Sequence, residues 1–467
     1  MSGLPPESDQ RAGGAPSGEA VERAGRIVAR LQAGGHRAYF VGGAVRDWLL
    51  CHRVEDVDIA TSARPEEVAR IYPRSRKVGA HFGVMLVGEG GQDFEVATFR
   101  AEGGYVDRRR PSRVRFGTLE EDWPRRDFTV NAMYFDPVGG RLIDPAGGRA
   151  DLRRKVLRTV GSAGRRFTED ALRLMRAVRF CAAYGLEMEP ATWEAIREHA
   201  ALVCEISAER VGGELLRMLQ GPRPGRAVRI MGAAGLWRHV SPEIERMRGC
   251  PQPPEFHPEG DVFTHTALVL ERLAERWAGP LPAALALGAL LHDVGKPVML
   301  EQRGNQLRFP DHHRVGAELA DRVCRRLRFS TRTRRMVKEL VAQHMRFMDV
   351  HHMKASTLRR FLAQEEFGWH LALHRADCEA SHGKLANWRL CKRTLEALEE
   401  EQQTVRGLPA PLLNGHDLME MGVDEGPRIG RLLEALRDEQ LEGRLKTRAE
   451  AEAWVRARLD RDETEEK

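Results

Sequence analysis

Two carboxylates with a single residue between them, Asp56 and Asp58, lie in the segment "DVDIAT", whose β-branched residues predict a strand. Side chains two residues apart on a strand point to the same face, so these two acids converge on one point. Acids held so close repel each other and raise one pKa unless a divalent cation lies between them. Because all the donors are oxygens, we expect Mg²⁺ at Asp56 and Asp58. The alternative is that both acids solvate an edge strand.

A glycine pair stands just before these acids. Gly42 and Gly43 follow the predicted strand "HRAYFV" and precede the short helical pattern "AVRDWLL". The backbone amides of such a turn can approach a phosphate closely. A third acid, Glu95 in "QDFEVATFR", joins the first two if its strand lies beside theirs. The pattern predicts a two-metal site for phosphoryl transfer, with Asp56, Asp58 and Glu95 as its catalytic carboxylates.

The segment "RRDFTVNAM" carries a second group of polar residues. Arg125 and Arg126 have the charge to hold phosphates, and Asp127 and Asn131 have polar groups suited to a ribose hydroxyl. The alternative is a surface ion pair between Arg126 and Asp127, which would contribute little to stability.

The pattern "TEDALRLMRAVRF" predicts a helix with Thr168 as its N-cap. Asp170 and Arg173, spaced i and i+3, would be neighbours on one face and would present an acceptor beside a donor. Cytosine and adenine each present a ring-nitrogen acceptor next to an amino donor, whereas uracil and guanine reverse the pair. The two side chains would therefore accept C and A and reject U and G. An intrahelical salt bridge is the alternative.

A histidine-containing region follows further along the chain. His265 lies in "DVFTHTALVLERL", His292 and Asp293 end the helical pattern "LPAALALGALLHDVGKP", and Asp377 lies in "HRADCEA". Two imidazoles and two carboxylates form a reasonable set of ligands for a divalent metal. With 17 histidines in the chain, coincidence is the competing explanation.

A chain of 467 residues is too long to fold around a single hydrophobic core, so several domains must position these residues. Short β-rich runs mixed with helical patterns predict an α+β head, and the strands stop after Asp151. The rest reads as helical. The predicted boundaries are 1–20 for a disordered tail, 21–160 for the head with a small mixed sheet, 161–247 for an all-α neck, 248–262 for a linker, 263–400 for a second helical domain, and 401–467 for a helical tail.

Composition narrows the class of protein. A hydrophobic content of 42% with 30% charged residues is typical of a soluble globular chain. The apolar run from Leu281 to Leu291 is about half as long as a membrane span requires. Residues 1–20 have no apolar core of a secretory signal, and the seven scattered cysteines show no metal or disulfide spacing, so we expect reduced thiols and a cytoplasmic location. A net charge of +6 fits a polyanionic partner.

Four motifs in this order, "GGAVRDWLL", "DVD", "EEDWPRRDFTVNAMYFDP" and "EDALRLMRAVRF", resemble those of bacterial tRNA nucleotidyltransferases (CCA-adding enzymes) and the similar poly(A) polymerases. The resemblance covers roughly residues 36–245. It implies a polymerase β-like nucleotidyltransferase fold, in which Asp56 and Asp58 hold magnesium and the glycine pair contacts the triphosphate. Arg46 matches the arginine of an Arg-Asp pair after the glycines. Cys51 and Arg53 stand where relatives often have glycine and proline, so the end of this short helix departs from the pattern.

The resemblance also implies roles for the other polar groups. The segment with Arg126, Asp127 and Asn131 corresponds to a motif that separates ribose from deoxyribose and joins head to neck. Asp170 and Arg173 correspond to the residues that read the base. Glu169 would support them, with Arg176 and Arg179 available to phosphates, and Glu209 and Arg210 would be structural. The stretch "AEGGYVDRRRPSRVR" matches a loop implicated in switching between nucleotides, in which Arg108, Arg109 and Arg110 could instead meet RNA phosphates.

The order His265, His292-Asp293, Asp377 resembles the HD domain of many nucleotidyltransferases and phosphohydrolases. The resemblance implies a second divalent metal there, with His312 and His344 where some HD proteins have extra ligands. Two interpretations remain open for this domain, a phosphohydrolase and a scaffold that supports tRNA.

The expected function is the addition of C, A or both to the 3′ end of tRNA, from CTP and ATP and without a nucleic-acid template. A poly(A) polymerase is the first alternative, and the HD signature and acidic end of the chain weigh against it. An HD phosphohydrolase with a degenerate head and a non-catalytic RNA-binding protein are further alternatives. The sequence does not distinguish addition of CCA from CC or A alone, and it predicts no oligomeric state.

Overall fold

A computed structural model describes residues 18–54, 56–78, 83–105, 111–304, 306–401 and 408–465. The chain divides into two compact units, Met1–Arg246 with Val323–Phe329, and Met247–Arg322 with Ser330–Lys467. Most of the predicted tail, 1–17, lies outside the described residues, and its last two residues begin the first helix. Within the described residues, no helix is both long and apolar enough to cross a membrane.

The first unit contains the predicted mixed sheet, with seven strands in the order β3-β4-β5-β2-β1-β8-β9. Strands β2 and β5 are parallel, and the other neighbours are antiparallel. A separate hairpin of β6 and β7 is inserted between β5 and β8. The strands are β1 (Ala38–Val41), β2 (Asp58–Thr61), β3 (Arg76–Val78), β4 (Val84–Glu89), β5 (Gln92–Thr98), β6 (Arg100–Tyr105), β7 (Pro111–Phe116), β8 (Tyr134–Asp136) and β9 (Arg141–Ile143).

Helices cover the sheet and close its turns. They are α1 (Glu19–Ala33), α2 (Gly43–Leu49), α3 (Pro65–Ile71), α4 (Leu119–Asp122) and α5 (Gly148–Arg153), with 3-10 turns at Trp123–Arg125 and Thr129–Asn131. Helix α1 buries Val21, Ala24, Ile27, Val28 and Leu31 in an i, i+3, i+4 stripe and contacts β1. Each large aliphatic side chain buried in this way contributes about 1.5–3 kcal/mol to folding.

Cys51 follows the end of helix α2 and has a left-handed backbone conformation, with φ of 58°. The Cys51 N–H bonds the carbonyl of Trp48 and the His52 N–H bonds that of Asp47. This is the pair of bonds that closes a helix end with a glycine. The departure from glycine noted in the sequence therefore leaves the turn intact, at a conformational cost of about 1 kcal/mol.

The rest of the first unit is helical. Its helices are α6 (Ala163–Glu169), α7 (Leu172–Tyr184), α8 (Pro190–His199), α9 (Ala208–Leu219), α10 (Pro224–Ala233), α11 (Trp237–Val240) and α12 (Pro242–Glu245), with a 3-10 segment at Ala200–Glu205. A short parallel pair, β10 (Val156–Leu157) and β11 (Glu187–Met188), shows that strands do not stop entirely after Asp151.

The predicted N-cap Thr168 is wrong. Thr168 lies in the last turn of α6, where its hydroxyl donates to the carbonyls of Gly164 and Arg165. Helix α6 ends at Glu169, the backbone of Asp170 is extended, and α7 begins at Leu172. The single predicted helix is therefore two helices with Asp170 between them.

The second unit is built from helices with one small hairpin, β12 (Glu301–Arg303) and β13 (Gln306–Arg308). The helices are α13 (Val262–Arg276), α14 (Ala283–Leu291), α15 (Lys296–Met299), α16 (His312–Arg326, whose end falls in the first unit), α17 (Thr331–Gln343), α18 (Ala355–Leu362), α19 (Phe367–Ala380), α20 (Ala386–Glu401), α21 (Gly415–Glu420), α22 (Pro427–Leu441) and α23 (Arg448–Glu465), with a 3-10 segment at His344–Asp349. Helix α14 is the apolar run of the sequence, and eight of its residues are buried in the core. Helices α21 to α23 share a small core of their own around Leu418, Leu436 and Val455.

Candidate functional site

Sheet register brings the glycine turn, Asp58 and Glu95 together, and Asp56 lies two residues before the start of β2 and not in the strand predicted for it. Val41, the last residue of β1, is paired with Asp58 at the start of β2. Strand β5 lies beside β2, as the prediction for Glu95 required, with Val96 opposite Ile59. Because that pairing is parallel, Asp58 and Glu95 stand next to each other at the same level of the sheet.

The electrostatics of these acids fit a cation. Asp56, Asp58 and Glu95 all reach solvent. Partial loss of hydration, together with the charges of Asp56 and Glu95, raises the pKa of Asp58 to about 6, against the opposing charge of Arg126. A hard divalent cation would relieve this repulsion, and a donor set made only of oxygens suits Mg²⁺.

Gly42 stands where a side chain would be strained. Its φ of 68° is left-handed, and a β-carbon built on it would lie 3.8 Å from Nη1 of Arg126. The guanidinium of Arg126 is thus beside both the glycine turn and Asp58. Gly43 begins α2, as the strand, turn and helix pattern predicted.

Arg126 is held in place by a buried carboxylate that the sequence reasoning missed. Asp122 accepts hydrogen bonds from Arg126 at 3.0 Å, from Tyr134 at 2.6 Å and from Arg125 at 2.7 Å. Arg126 also donates to the Tyr134 hydroxyl at 2.9 Å. Burial raises the pKa of Asp122, but the charges of Arg126 and Arg125 and the Tyr134 hydrogen bond lower it overall to about 2.

A chain of hydrogen bonds connects α2 to α7. Arg46 donates to Oδ1 of Asn131 at 2.7 Å, and Asn131 donates to Asp127 at 3.1 Å. Asp127 then accepts two bonds from Arg176, at 2.9 and 2.7 Å. Arg46 also stacks on Tyr184 and bonds its hydroxyl. The alternative of a surface ion pair between Arg126 and Asp127 is therefore wrong, because Arg126 pairs with Asp122 and Asp127 pairs with Arg176.

Asp170 and Arg173 are not paired with each other, so the intrahelical salt bridge considered as an alternative is also wrong. Arg173 donates to Glu169 at 3.1 Å and to the carbonyls of Arg166 at 3.1 Å and Arg125 at 3.0 Å. Asp170 accepts from the Leu172 N–H at 3.1 Å. Its side chain keeps 22% of its surface exposed and has only a loose contact with Arg210 at 3.4 Å.

The two arginines predicted to meet phosphates already have carboxylate partners. Arg176 is bound by Asp127, and Arg179 donates at 2.8 Å to Glu214, whose side chain is 2% exposed and which also binds Arg217. This geometry favours a positioning role for Arg176 and Arg179 on α7. Three further predicted phosphate contacts, Arg108 to Arg110, lie outside the described residues.

Two histidines and one aspartate of the second unit converge. His265, His292 and Asp377 place their ligand atoms within 4.8 Å of one another. The Nε2 atoms of the two imidazoles are 3.3 Å apart, and Oδ1 of Asp377 is 3.0 Å from that of His265. We call these three residues the first triad. Asp293 lies beside it, with Oδ2 at 3.3 Å from Nε2 of His292.

The outer nitrogens of this triad are fixed by neighbours. Nδ1 of His265 is 2.6 Å from Glu259, and Nδ1 of His292 is 2.9 Å from the carbonyl of Ala289. A carbonyl requires a proton on the nitrogen that faces it, so in the neutral imidazole of His292 the acceptor is Nε2. Such outer bonds are typical of histidines that hold a metal.

Sequence comparison divides the chain into three recognised parts. Residues 38–158 match the "Poly A polymerase head domain", residues 185–247 match the "Probable RNA and SrmB-binding site of polymerase A", and residues 262–382 match the "HD domain". The CCA-adding enzyme of Geobacillus stearothermophilus is 49% identical over 211 residues, which are 45% of this chain and 52% of that protein. The CCA-adding enzyme of Streptococcus mutans is 50% identical over 197 residues, 42% of this chain and 49% of that protein. The alignments thus span about half the length of these curated relatives.

A solved structure extends the likeness over nearly the whole chain. The Bacillus stearothermophilus CCA-adding enzyme in complex with CTP has a TM-score of 0.74 and 28% identity, covering 96% of this chain and 100% of that one. Three family models thus match separate parts of the chain, and its fold is similar to that of a solved CCA-adding enzyme. Its α+β head and its HD domain are confirmed.

Several residues that position the site were absent from the sequence prediction. Asp122, Tyr184 and Glu214 each fix an arginine that had been predicted, and two of them carry a local signal. Asp122 stands three and four residues before Arg125 and Arg126, and Glu214 three before Arg217, which is the spacing of neighbours on a helix. Tyr184 is 138 residues from Arg46, so no spacing rule could have joined them.

Proposed function

We propose that this chain is a tRNA nucleotidyltransferase that adds C, A or both to the 3′ end of tRNA from CTP and ATP. The observation that carries the proposal is the convergence of Asp56, Asp58 and Glu95 beside the glycine turn, with Asp170 and Arg173 unpaired to each other. Binding alone would not need acids that repel phosphate. The relatives named CCA-adding enzymes, and the likeness to the CTP complex, support it.

The head residues divide the work. Asp56 and Asp58 would hold Mg²⁺, with Glu95 as the third carboxylate. The cation would supply charge that lowers the pKa of the attacking 3′-hydroxyl and offsets the negative charge of the triphosphate. Gly42 and Gly43 give the triphosphate close access to the backbone, and Arg126 offers a fixed positive charge, oriented in advance by Asp122.

Base selection falls to the junction between α6 and α7. Asp170 accepts a hydrogen bond from the exocyclic amine of C or A, and Arg173 donates to the neighbouring ring nitrogen. Glu169 holds Arg173 at 3.1 Å, so the donor is oriented before a nucleotide arrives. Asp127 already accepts four hydrogen bonds, which fills its carboxylate, and we therefore propose that it positions Asn131 and Arg176 and leaves any ribose contact to its neighbours.

The test offers the full chain a tRNA that lacks its 3′-terminal CCA, and the same tRNA ending after the first or second C, with each labelled nucleotide in turn. We expect incorporation of C, A or both and none of U or G. Asp58→Ala should abolish incorporation, while Glu66→Ala, which removes an exposed carboxylate of the same head, should retain it.

Each contrary outcome identifies a different error. Long poly(A) tails on unrelated RNA would overturn the tRNA assignment in favour of a poly(A) polymerase. Absence of incorporation with every end would overturn the transferase itself. The product lengths on the three ends separate CCA-adding, CC-adding and A-adding enzymes. Because these substrates are tRNAs, the proposed location is the cytoplasm.

We further propose that the first triad, with Asp293 beside it, holds a divalent cation. The observation in favour is that Nε2 of His292 is left as an acceptor only 3.3 Å from Nε2 of His265, next to two carboxylates. The test is the absorption of Co²⁺ added to chelator-treated protein, which should show bands of a nitrogen-bound ion that Asp377→Ala weakens. Hydrolysis of phosphate esters that survives His292→Ala would contradict a role for this cation in any such reaction.

A further inference from the structure

A cavity of about 240 Å³ lies in the second unit, where helices α13, α19 and α20 meet. Two tryptophans, Trp277 at the end of α13 and Trp388 on α20, form part of its wall, and we call it the indole pocket. Pockets for drug-sized ligands usually measure about 300–1,000 Å³, so this one admits a single ring system. Helices α13 and α19 also carry His265 and Asp377 of the first triad, but neither residue lines the pocket.

The space of the indole pocket comes from small residues on α19. Gly368, Ala372 and Ala376 all line the pocket and are spaced i, i+4 and i+8, so they lie on one face of the helix. A β-carbon built on Gly368 would meet no atom within 4 Å. Side chains of ordinary core size at these three positions would fill the pocket. Their small size therefore leaves open the space that the two indoles border.

The aromatic wall selects for a flat ligand. Trp277 and Trp388 are both half-buried, so part of each indole is accessible. The guanidinium carbon of Arg375 lies 4.8 Å from the ring centre of Trp388, and Nζ of Lys392 lies 5.3 Å from it. These cation–π contacts orient the indole. A nucleic-acid base that stacks on an aromatic side chain gains about 1–3 kcal/mol, which an aliphatic ligand would not gain.

The edge of the indole pocket carries positive charge. Glu379 accepts hydrogen bonds from Nε of Arg276 at 2.8 Å and from Nε of Arg375 at 2.9 Å. Because both bonds use Nε, this carboxylate leaves the terminal nitrogens of both guanidiniums available. A third arginine of the lining, Arg272, is paired with Glu275 at 2.9 Å. Arg276 and Arg375 thus share one carboxylate, and one positive charge is left in excess.

The two guanidiniums lie near solvent, whereas the carboxylate between them is more buried. The side chains of Arg276 and Arg375 are 54% and 32% exposed, against 14% for Glu379. An anionic group could therefore reach the arginines from solvent while an attached ring enters the pocket. Arginine nitrogens held in this way are suited to the oxygens of a phosphate.

We propose that the indole pocket binds a nucleotide, with its base against Trp277 and Trp388 and its phosphate at Arg276 and Arg375. This nucleotide is additional to the CTP or ATP of the proposed transfer reaction, whose residues belong to the head. A free mononucleotide and an unpaired nucleotide of an RNA strand present the same chemistry to the pocket. The experiment below distinguishes these two sources.

The test uses the full chain labelled with 5-fluorotryptophan, whose ¹⁹F spectrum has one signal for each of the eight tryptophans. Single Trp→Phe variants assign the signals of Trp277 and Trp388. When AMP is titrated in, we expect both signals to shift along one saturation curve. The signal of Trp454, which packs in the separate core of helices α21 to α23, should not move. The trinucleotide ApApA is titrated in a parallel sample.

Two kinds of variant locate the binding. Ala372→Leu fills the pocket and should abolish the shifts, whereas Ala449→Leu, at an exposed alanine of α23, should retain them. Arg276→Gln changes a mostly exposed side chain, so folding is preserved, and should weaken AMP binding by about tenfold or more. An unmoved Trp454 signal in each variant reports that the second unit remains folded.

Each outcome has one meaning. Shifts with AMP assign the pocket to a free mononucleotide, and shifts with ApApA alone assign it to an RNA strand. Absence of shifts at Trp277 and Trp388 with both ligands would overturn the proposal, as would shifts that persist in Ala372→Leu. Equal shifts with ribose 5-phosphate, which has no base, would overturn the role of the indoles. Equal affinity of AMP and adenosine would overturn the role of the arginines.

Discussion

The two candidate metal sites of this chain are built in opposite ways. In the head, Asp56, Asp58 and Glu95 reach solvent, and the raised pKa of Asp58 reflects acids that repel one another. In the HD domain the inward nitrogens belong to buried histidines, each fixed by an outer hydrogen bond. The head site is thus completed by what binds there, whereas the HD site is assembled by the fold.

The donor atoms differ in the same direction. An all-oxygen set suits Mg²⁺, which binds weakly enough to arrive with a triphosphate, while an imidazole-rich set suits transition metals that stay bound. Removing a ligand of the head site should therefore lower activity alone. Removing a ligand of the HD site should lower both activity and stability.

The largest effect on activity is expected for Asp58→Ala. Incorporation of nucleotides should fall on the order of a thousandfold. Without this carboxylate the proposed cation is held less well, and the negative charge of the reacting phosphate is no longer stabilised. The free energy of unfolding should change by no more than about 0.5 kcal/mol, because the side chain is exposed and repelled by its neighbours. Urea unfolding beside the incorporation assay measures both.

The matched substitution in the other region is His292→Ala. It should lower the stability of the metal-loaded second unit, and a chelator should reduce the difference between variant and parent. If Asp58→Ala destabilised the chain as much as His292→Ala, the contrast between the two sites would be wrong.

Asp122→Asn provides a contrast within the head, because this carboxylate is buried and paired whereas Asp56, Asp58 and Glu95 are exposed. Breaking its contacts with Arg125 and Arg126 should lower the free energy of unfolding at pH 7 by about 2–3 kcal/mol. Its pKa of about 2 lies below the unfolded value of 3.8, so its stabilisation is complete above about pH 4 and is lost as the pH falls towards 2. The variant should therefore show a flatter decline in stability between pH 4 and 2. A decline as steep as that of the parent would assign the acid sensitivity to other groups.

Asp170→Asn tests whether base selection depends on an exposed acceptor. The amide can donate as well as accept, so the preference for C and A over U should fall about tenfold, equivalent to about 1.4 kcal/mol. Competition between labelled CTP and UTP measures it. Glu194→Gln changes an exposed acid on α8 and should leave the preference unaltered. Unchanged selectivity in Asp170→Asn would remove this residue from base reading.

Cys51→Gly gives the smallest expected effect. Glycine relieves the left-handed strain at the end of α2 and should raise the free energy of unfolding by about 0.5–1 kcal/mol. Cys51→Ala keeps a β-carbon and should give no gain. Equal stability of the two variants would mean that the strain is absorbed elsewhere.

Much of the head could be predicted because its signals are local. The β-branched residues predicted the strand that begins at Asp58, and the glycine pair between a strand and a helix located the turn. The neighbourhood of Glu95 was predicted only conditionally, since β2 and β5 are not consecutive and nothing local specifies their pairing.

The errors and omissions have a physical cause in long-range contacts. Thr168 appeared as an N-cap because a continuous helical pattern hid the break at Asp170. Two of the hydrogen bonds that Asp127 accepts come from Arg176, 49 residues later, which no local pattern could predict. The approach of His312 and His344 to Asp293 was suggested by resemblance alone, because the three residues come from separate elements that only the fold brings together.

The chain of hydrogen bonds from Arg46 through Asn131 and Asp127 to Arg176 limits how the pocket can change. It joins the helix after the glycine turn to the helix that carries Arg173, and bonds to charged groups cost about 1.5–3 kcal/mol each to break. A catalytic cycle that separated these helices between one nucleotide and the next would repeat that cost at every addition. An adjustment of the proposed nucleotide pocket avoids that cost only if it leaves these hydrogen bonds intact.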